Sequence, residues 1–231
     1  MGFTIGAIGG LGGLREIREL TRPGARKRAR TSVCTAVAEY TGLWGWDVVP
    51  GARAARSGGR LRCSCGAGVC PSPGAHPLDA GLEVPAGSTL AEATNAWAQV
   101  PGAAVLLPTG RAFDVIDVAD APARGALARL ERMGLPLGPV AATPHGRAWF
   151  LVAPGAAAEL PELLYRMGWD DAGLDLRARG AGEYITAPPS DLAGDGPVRW
   201  LRAPAPERRR PPQARLLLGT LAYVCHRSAT R

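Results

Sequence analysis

The chain has 231 residues, 46% hydrophobic and 20% charged, which suits a soluble domain with a full core and excludes a fibrous or low-complexity chain. No run approaches the ~18 apolar residues of a membrane span, and the apolar stretch 3–14 is glycine-studded with no basic residue ahead of it, so no signal peptide is expected. The net charge of +7 sits at the ends: residues 1–31 hold seven Lys/Arg against two Glu, residues 202–231 hold seven Arg against Glu207, and the middle is left at −4.

In chain order, residues 1–30 read as a basic extension with a short helix near 14–20, a linker at Arg22-Pro23-Gly24 and the run Arg26-Lys27-Arg28-Ala29-Arg30. That run and Arg208-Arg209-Arg210 suit phosphate backbones, or are simply solvated tails. A domain over 31–204 follows. It opens on a helix at 31–41, with Val33, Ala36, Val37 and Tyr40 at helical spacing, and a short strand at 46–49 ended by Pro50-Gly51. Next comes Cys63-Ser64-Cys65, Cys70 and His76, a C-x-C-x4-C-x5-H knuckle. Three thiolates and an imidazole are the ligand set of a closed, structural zinc site, and the intervening glycines and prolines let the chain bend back on itself. The plain alternative is a Gly/Pro-rich loop carrying thiols. Cys34 and Cys225 are isolated, which argues against a secreted disulfide scaffold and points to the cytoplasm.

A helix at 88–100 is predicted, with Ser88 able to cap it and Glu92 in its first turn. Apolar runs at 103–107 and 113–118, separated by Pro108-Thr109-Gly110, suit a hairpin of buried strands. A helix at 123–133 stops at Gly134. Strands at 140–143 and 148–152 flank the turn Pro144-His145-Gly146. A helix at 160–167, strands at 174–177 and 184–187, and a closing helix at 213–225 complete the chain, the last following Pro211-Pro212 in a linker-and-helix segment 205–231. Strand pairs with helices between them indicate an α+β domain with a mostly antiparallel sheet and flanking helices.

Three segments can carry chemistry. Asp114, Asp117 and Asp120 stand at the end of an apolar strand, where acids can hold a divalent ion. His145 and Arg147 lie on a turn that can face a triphosphate. Asp175 and Arg177 lie on a further strand, ahead of a glycine-rich turn and the Ala187-Pro188-Pro189-Ser190 stop.

These segments, taken with Trp44-Gly45-Trp46-Asp47 and the knuckle ending Gly74-Ala75-His76-Pro77, resemble the N-terminal domain of the bifunctional DNA primase/polymerase (Prim-Pol) family, of archaeo-eukaryotic primase type. The resemblance runs from about Ala36 to Trp200. The scarcity of lysine suits a GC-rich, actinobacterial-like member of a group with many bacterial knuckle-bearing representatives. The resemblance implies a Prim-Pol fold and template-directed nucleotidyl transfer in DNA replication or repair, with Mg²⁺ or Mn²⁺ at the acids, dNTP or NTP as substrate and DNA as template. The sequence shows no helicase domain, so a replication protein is expected as the partner for unwinding.

Matched to the family's motifs, Asp117 is the first acid, Ala119 stands where the second should be, and Asp175 is the third. Ala148 stands where the family has a nucleotide-contacting histidine, and Ala75 where many members have lysine. Asp120 and His145 are the candidate replacements, with Arg147 and Arg177 as nucleotide-binding side chains. The competing expectations are a working enzyme with a rearranged site, a Prim-Pol fold with lost or weakened catalysis that binds nucleotide, nucleic acid or a partner, and an unrelated zinc-stapled module. On the plainest reading Asp117 and Asp175 pair with Arg147 and Arg177, His145 is an exposed turn residue, and Trp44, Trp46, Trp97 and Trp149 fill the core.

Overall fold

The computed structural model describes residues 32–57, 59–169, 172–206 and 210–229. The helix near 14–20, both basic runs save Arg210 and the start of the first predicted helix lie outside the described residues.

Helical turns over 32–38 run into a π-helical stretch, Glu39–Leu43, and together form α1. Strands β1 (Val49–Gly51), β2 (Ala54–Ser57) and β3 (Arg60–Cys63) follow, then α2 (Leu90–Gln99), β4 (Ala104–Pro108), β5 (Asp114–Ala119) and α3 (Asp120–Arg132). The chain continues through β6 (Val140–Ala142), β7 (Arg147–Val152), α4 (Ala156–Arg166), β8 (Leu176–Arg179), β9 (Tyr184–Thr186), β10 (Arg199–Arg202) and α5 (Arg215–Ala229). Every strand pairing is antiparallel, as expected. A five-stranded sheet has the order β10-β6-β7-β5-β8, a three-stranded sheet the order β1-β4-β9, and β2 and β3 form a separate hairpin.

Two differences from the expected elements matter. The runs on either side of Pro108-Thr109-Gly110 are strands but not a hairpin. Both edges of β4 are taken by β1 and β9, and both edges of β5 by β7 and β8, so the turn passes the chain from one sheet to the other. The cap of α2 is Thr89, not Ser88: Thr89 and Glu92 form a reciprocal capping box, while Ser88 is buried and its carbonyl accepts from the Thr41 hydroxyl at 2.9 Å. β10 has no counterpart among the expected strands.

The faces of the five-stranded sheet separate two cores. Ile116, Val118, Ala148, Phe150 and Leu176 pack on α3, α4 and α5, with Leu130, Leu217, Leu218 and Leu221 opposite them. Val115, Ala141, Trp149 and Leu151 face the other way and join Val105, Leu107, Ile185, Tyr40, Trp46 and Trp97. Trp46, Trp97 and Trp149 are therefore core residues, and Trp44 packs half-buried against the same cluster. The Pro-Pro-Ser stop bolts onto β4. Ser190 Oγ accepts from Val105 N at 2.8 Å, Tyr40 donates to the Pro188 carbonyl at 2.7 Å, and the Pro188–Pro189 peptide is cis. Asp114, on the helix-facing side of β5, accepts from Ala157 N at 2.9 Å and so caps α4 from across the fold. This cap and the left-handed Gly155 (φ 95°) start α4 earlier than its apolar spacing indicates.

Candidate active site and metal centre

The middle strand of the five-stranded sheet sets the site. Side chains alternate along a strand, so Val115, Asp117 and Ala119 share one face of β5, and Asp114 and Val118 share the other. Register places Trp149 and Arg177 beside Asp117, Arg147 beside Ala119, and Arg179 beside Val115. Cross-strand partners share a face, so one carboxylate stands among three arginines and a tryptophan.

Arg147 is held at the mouth of a tight turn. Its amide donates to Thr143 Oγ1 at 3.2 Å, Thr143 N donates to the Arg147 carbonyl at 2.8 Å, and Gly146 takes the left-handed conformation the turn needs (φ 70°). From there Nε donates to Asp117 Oδ1 at 2.7 Å and Nη1 to Asp175 Oδ2 at 2.5 Å. The other Asp117 oxygen accepts from Trp149 Nε1 at 2.9 Å and Arg179 Nη2 at 3.3 Å. Burial works against the charge on Arg147, but the two carboxylates outweigh it and raise its pKa above the ordinary arginine value. The Asp117 side chain is 5% exposed and that of Asp175 56%. One guanidinium therefore joins a buried acid to a solvent-facing one.

A pair of divalent ions needs carboxylate oxygens free to coordinate them. Here both Asp117 oxygens already accept from N–H donors, Ala119 offers none, and the Asp175 oxygen nearest the site is engaged by Arg147. As arranged, these residues do not fit such a metal pair.

The remaining candidates fall elsewhere. Asp120 opens α3 and accepts from Arg124 at 2.8 Å, one turn along, and no contact links it to Asp117 or Asp175. His145 is exposed on its turn and contacts Asp195 Oδ2 at 2.8 Å rather than Asp117 or Asp175. Arg177 is exposed and has no ion-pair partner among the described residues. Ala148 is fully buried against the helices, so its position cannot address the acids at all; the side chain of that turn which does is Arg147. Sequence reasoning missed Arg179 and the donor role of Trp149. Arg179 follows Arg177 by two residues, and that spacing alone places both on one face.

The knuckle assembles as its spacing indicates. The hairpin β2–β3 delivers Cys63, a loop delivers Cys65 and Cys70, and the returning chain delivers His76. Their ligand atoms lie within 4.8 Å of one another. Cys63 Sγ and Cys70 Sγ are 3.3 and 3.4 Å from His76 Nε2, near the ~3.6 Å edge that zinc–sulfur and zinc–nitrogen bond lengths give a tetrahedron. His76 Nδ1 lies 2.7 Å from the Pro77 carbonyl, which fixes the ring so that Nε2 faces the thiols. Burial raises the Cys63 thiol, but the backbone amides of Cys65 and Gly74, with His76, outweigh it and bring it down to about 6. These residues fit a closed structural zinc site. The root is clamped to β1 by Ala52 N to the His76 carbonyl (2.8 Å) and Leu78 N to the Pro50 carbonyl (2.9 Å).

The family of bifunctional DNA primase/polymerase N-terminal domains matches residues 37–214. The chain belongs to that family. No curated protein and no solved structure matches it. The match spans both sheets, the knuckle and the arginine-bridged acids, and it rules out an unrelated zinc-stapled module. A Prim-Pol domain handles DNA and nucleotides by family, so those are its expected ligand classes. No helix among the described residues is long and apolar enough to cross a membrane.

Proposed function

We propose that this Prim-Pol domain binds nucleic acid and nucleotide but has lost the two-metal transfer of its family. The observation that supports the reading is Arg147, whose guanidinium bridges Asp117 and Asp175 where a divalent cation would have to sit. Arg147 and Arg179 both pair with Asp117 and Arg147 also holds Asp175, which leaves Arg177 as an arginine of that face with no ion-pair partner among the described residues, open to a phosphate. The knuckle holds structural zinc. Five cysteines without a disulfide partner suit a reducing cytoplasm, and a replication protein is the partner class that fits a DNA-handling domain of this family.

The second reading is a working polymerase in which Arg147 swings onto the triphosphate and frees both acids. Its support is that Asp117 and Asp175 already lie within the span of one guanidinium. Primer extension with labelled dNTP or NTP on a primed template, in Mg²⁺ and in Mn²⁺, separates the two. The expected result is no incorporation above that of the Asp117→Ala and Asp175→Ala variants, alongside saturable nucleotide binding. Template-dependent incorporation abolished by either alanine would overturn the proposal.

A further inference from the structure

The charge of −4 over residues 32–201 conceals a local asymmetry. Between Val48 and Leu78 the chain holds Arg53, Arg56, Arg60 and Arg62 and not one carboxylate, which leaves the rest of that span at −8. All four arginines are exposed on or beside the β2–β3 hairpin. Arg60 and Arg62 pair with Ser57 and Ala55, so they share one face of β3, about 6.7 Å apart along the strand. Successive phosphates of an extended nucleic-acid strand are spaced similarly. Neither arginine has an ion-pair partner among the described residues.

A two-stranded hairpin alone is marginal in water. This one is fixed by the knuckle ligands and by close packing at Gly74, where an added Cβ would lie 2.7 Å from Ala54 N and 3.1 Å from Ala193 Cα. It is also tied to the candidate site. Arg56 donates to Asp195 Oδ1 at 2.9 Å, and Asp195 Oδ2 meets His145 at 2.8 Å, on the turn that leads directly into Arg147. Leu61, between the two arginines, faces the other side of β3, but Val69 on the knuckle loop stands out of the same object at 91% exposed. Unpaired bases can cover such side chains, whereas a duplex keeps its bases stacked inside.

We infer that the zinc-stapled hairpin is the domain's grip on single-stranded nucleic acid, with Arg60 and Arg62 on consecutive phosphates and Val69 against an unpaired base. The inference rests on the nucleic-acid reading above and assigns the contact to a surface outside the acids. The test uses the full zinc-loaded chain and a labelled oligothymidylate, with affinity measured by fluorescence anisotropy across a salt series. Arg60→Ala/Arg62→Ala should weaken binding about tenfold at ~0.1 M salt and flatten the slope of log affinity against log salt by about 1.4, the share of two phosphate contacts. Val69→Ser should weaken binding with the slope unchanged. Arg132→Ala/Arg166→Ala, which removes equal charge from α3 and α4, should leave both readings near wild type. One zinc per chain in the hairpin variant establishes that the knuckle remains folded.

Equal losses in the hairpin and helix variants, an unaltered salt slope, or a duplex of the same length held as tightly through the same arginines would each overturn the assignment. Tight binding that survives the hairpin substitutions would sink the hairpin alone and leave the proposed function standing. No binding by the wild-type chain would sink both.

Discussion

Arg147→Ala tests whether an internal cation fills the acid site. Removing one partner of a buried ion pair typically costs about 3–5 kcal/mol, because the remaining charge is left without compensation. Asp117 is deeply buried, but it keeps Trp149 and Arg179 as donors, so its share is nearer ~2 kcal/mol. The link to the exposed Asp175 adds at most about 1 kcal/mol. A loss of ~3 kcal/mol in a domain of this size lowers the melting temperature by roughly 6–12 °C. The vacated position lies between two carboxylates, so Mn²⁺ at a hundred times its dissociation constant should restore about 2.7 kcal/mol, most of the loss. Thermal unfolding with and without Mn²⁺ reads both effects. Wild type should not respond to the ion, and Arg147→Ala/Asp117→Asn should have lost the response. A variant as stable as wild type, or wild type stabilised by Mn²⁺ as much as the variant, would refute the reasoning.

The knuckle and its docking give two further expectations. Cys70→Ser should lower zinc content below one per chain by elemental analysis, and should raise amide exchange across 54–63 while leaving the five-stranded sheet protected. Asp195 is held below the usual carboxylate range by Arg56 first and His145 second, so its contribution to docking is complete above about pH 4 and is lost as pH falls through its depressed folded value. Protection factors in 54–63 should therefore drop on acidification before those in β5. Asp195→Asn should show the lower protection already at neutral pH, and an unchanged profile in that variant would refute the linkage.

How much was legible in the sequence depended on how local each feature is. The knuckle could be read because its four ligands lie within fourteen residues and their types name the chemistry. The opposed faces of Asp114 and Asp117 followed from alternation within one strand. The hairpin expected across Pro108-Thr109-Gly110 failed because pairing is a contest among distant strands, and β7, β8, β1 and β9 outcompeted the neighbour in sequence. Ala148, matched to the family's histidine position, lies on the helix face while its neighbour Arg147 lies on the acid face, a distinction that on a strand turns on a single residue. The cap on α4 comes from Asp114, 43 residues before the amide that donates to it, so apolar periodicity near the helix could not mark where it begins. Averaging charge over the whole middle segment hid the carboxylate-free hairpin. A shorter window would have found it.

The register also connects two features that the sequence presents separately, the alanine at the second acid position and the arginine that fills the site. Ala119 is the direct cross-strand partner of Arg147. A carboxylate at 119 would lie within ~5 Å of Arg147 at Cβ and compete with Asp117 for the guanidinium. With alanine there, the guanidinium folds along β5 onto Asp117 and reaches Asp175 as well. Ala119→Asp alone should therefore not create a cation site, because the new acid only adds a third partner for the same arginine. Ala119→Asp with Arg147→Ala presents three carboxylates and no internal cation, and should bind Mn²⁺ at least tenfold more tightly than either single variant by calorimetry. If Ala119→Asp alone binds as tightly as the double variant, Arg147 is not what occupies the site, and the two positions are independent.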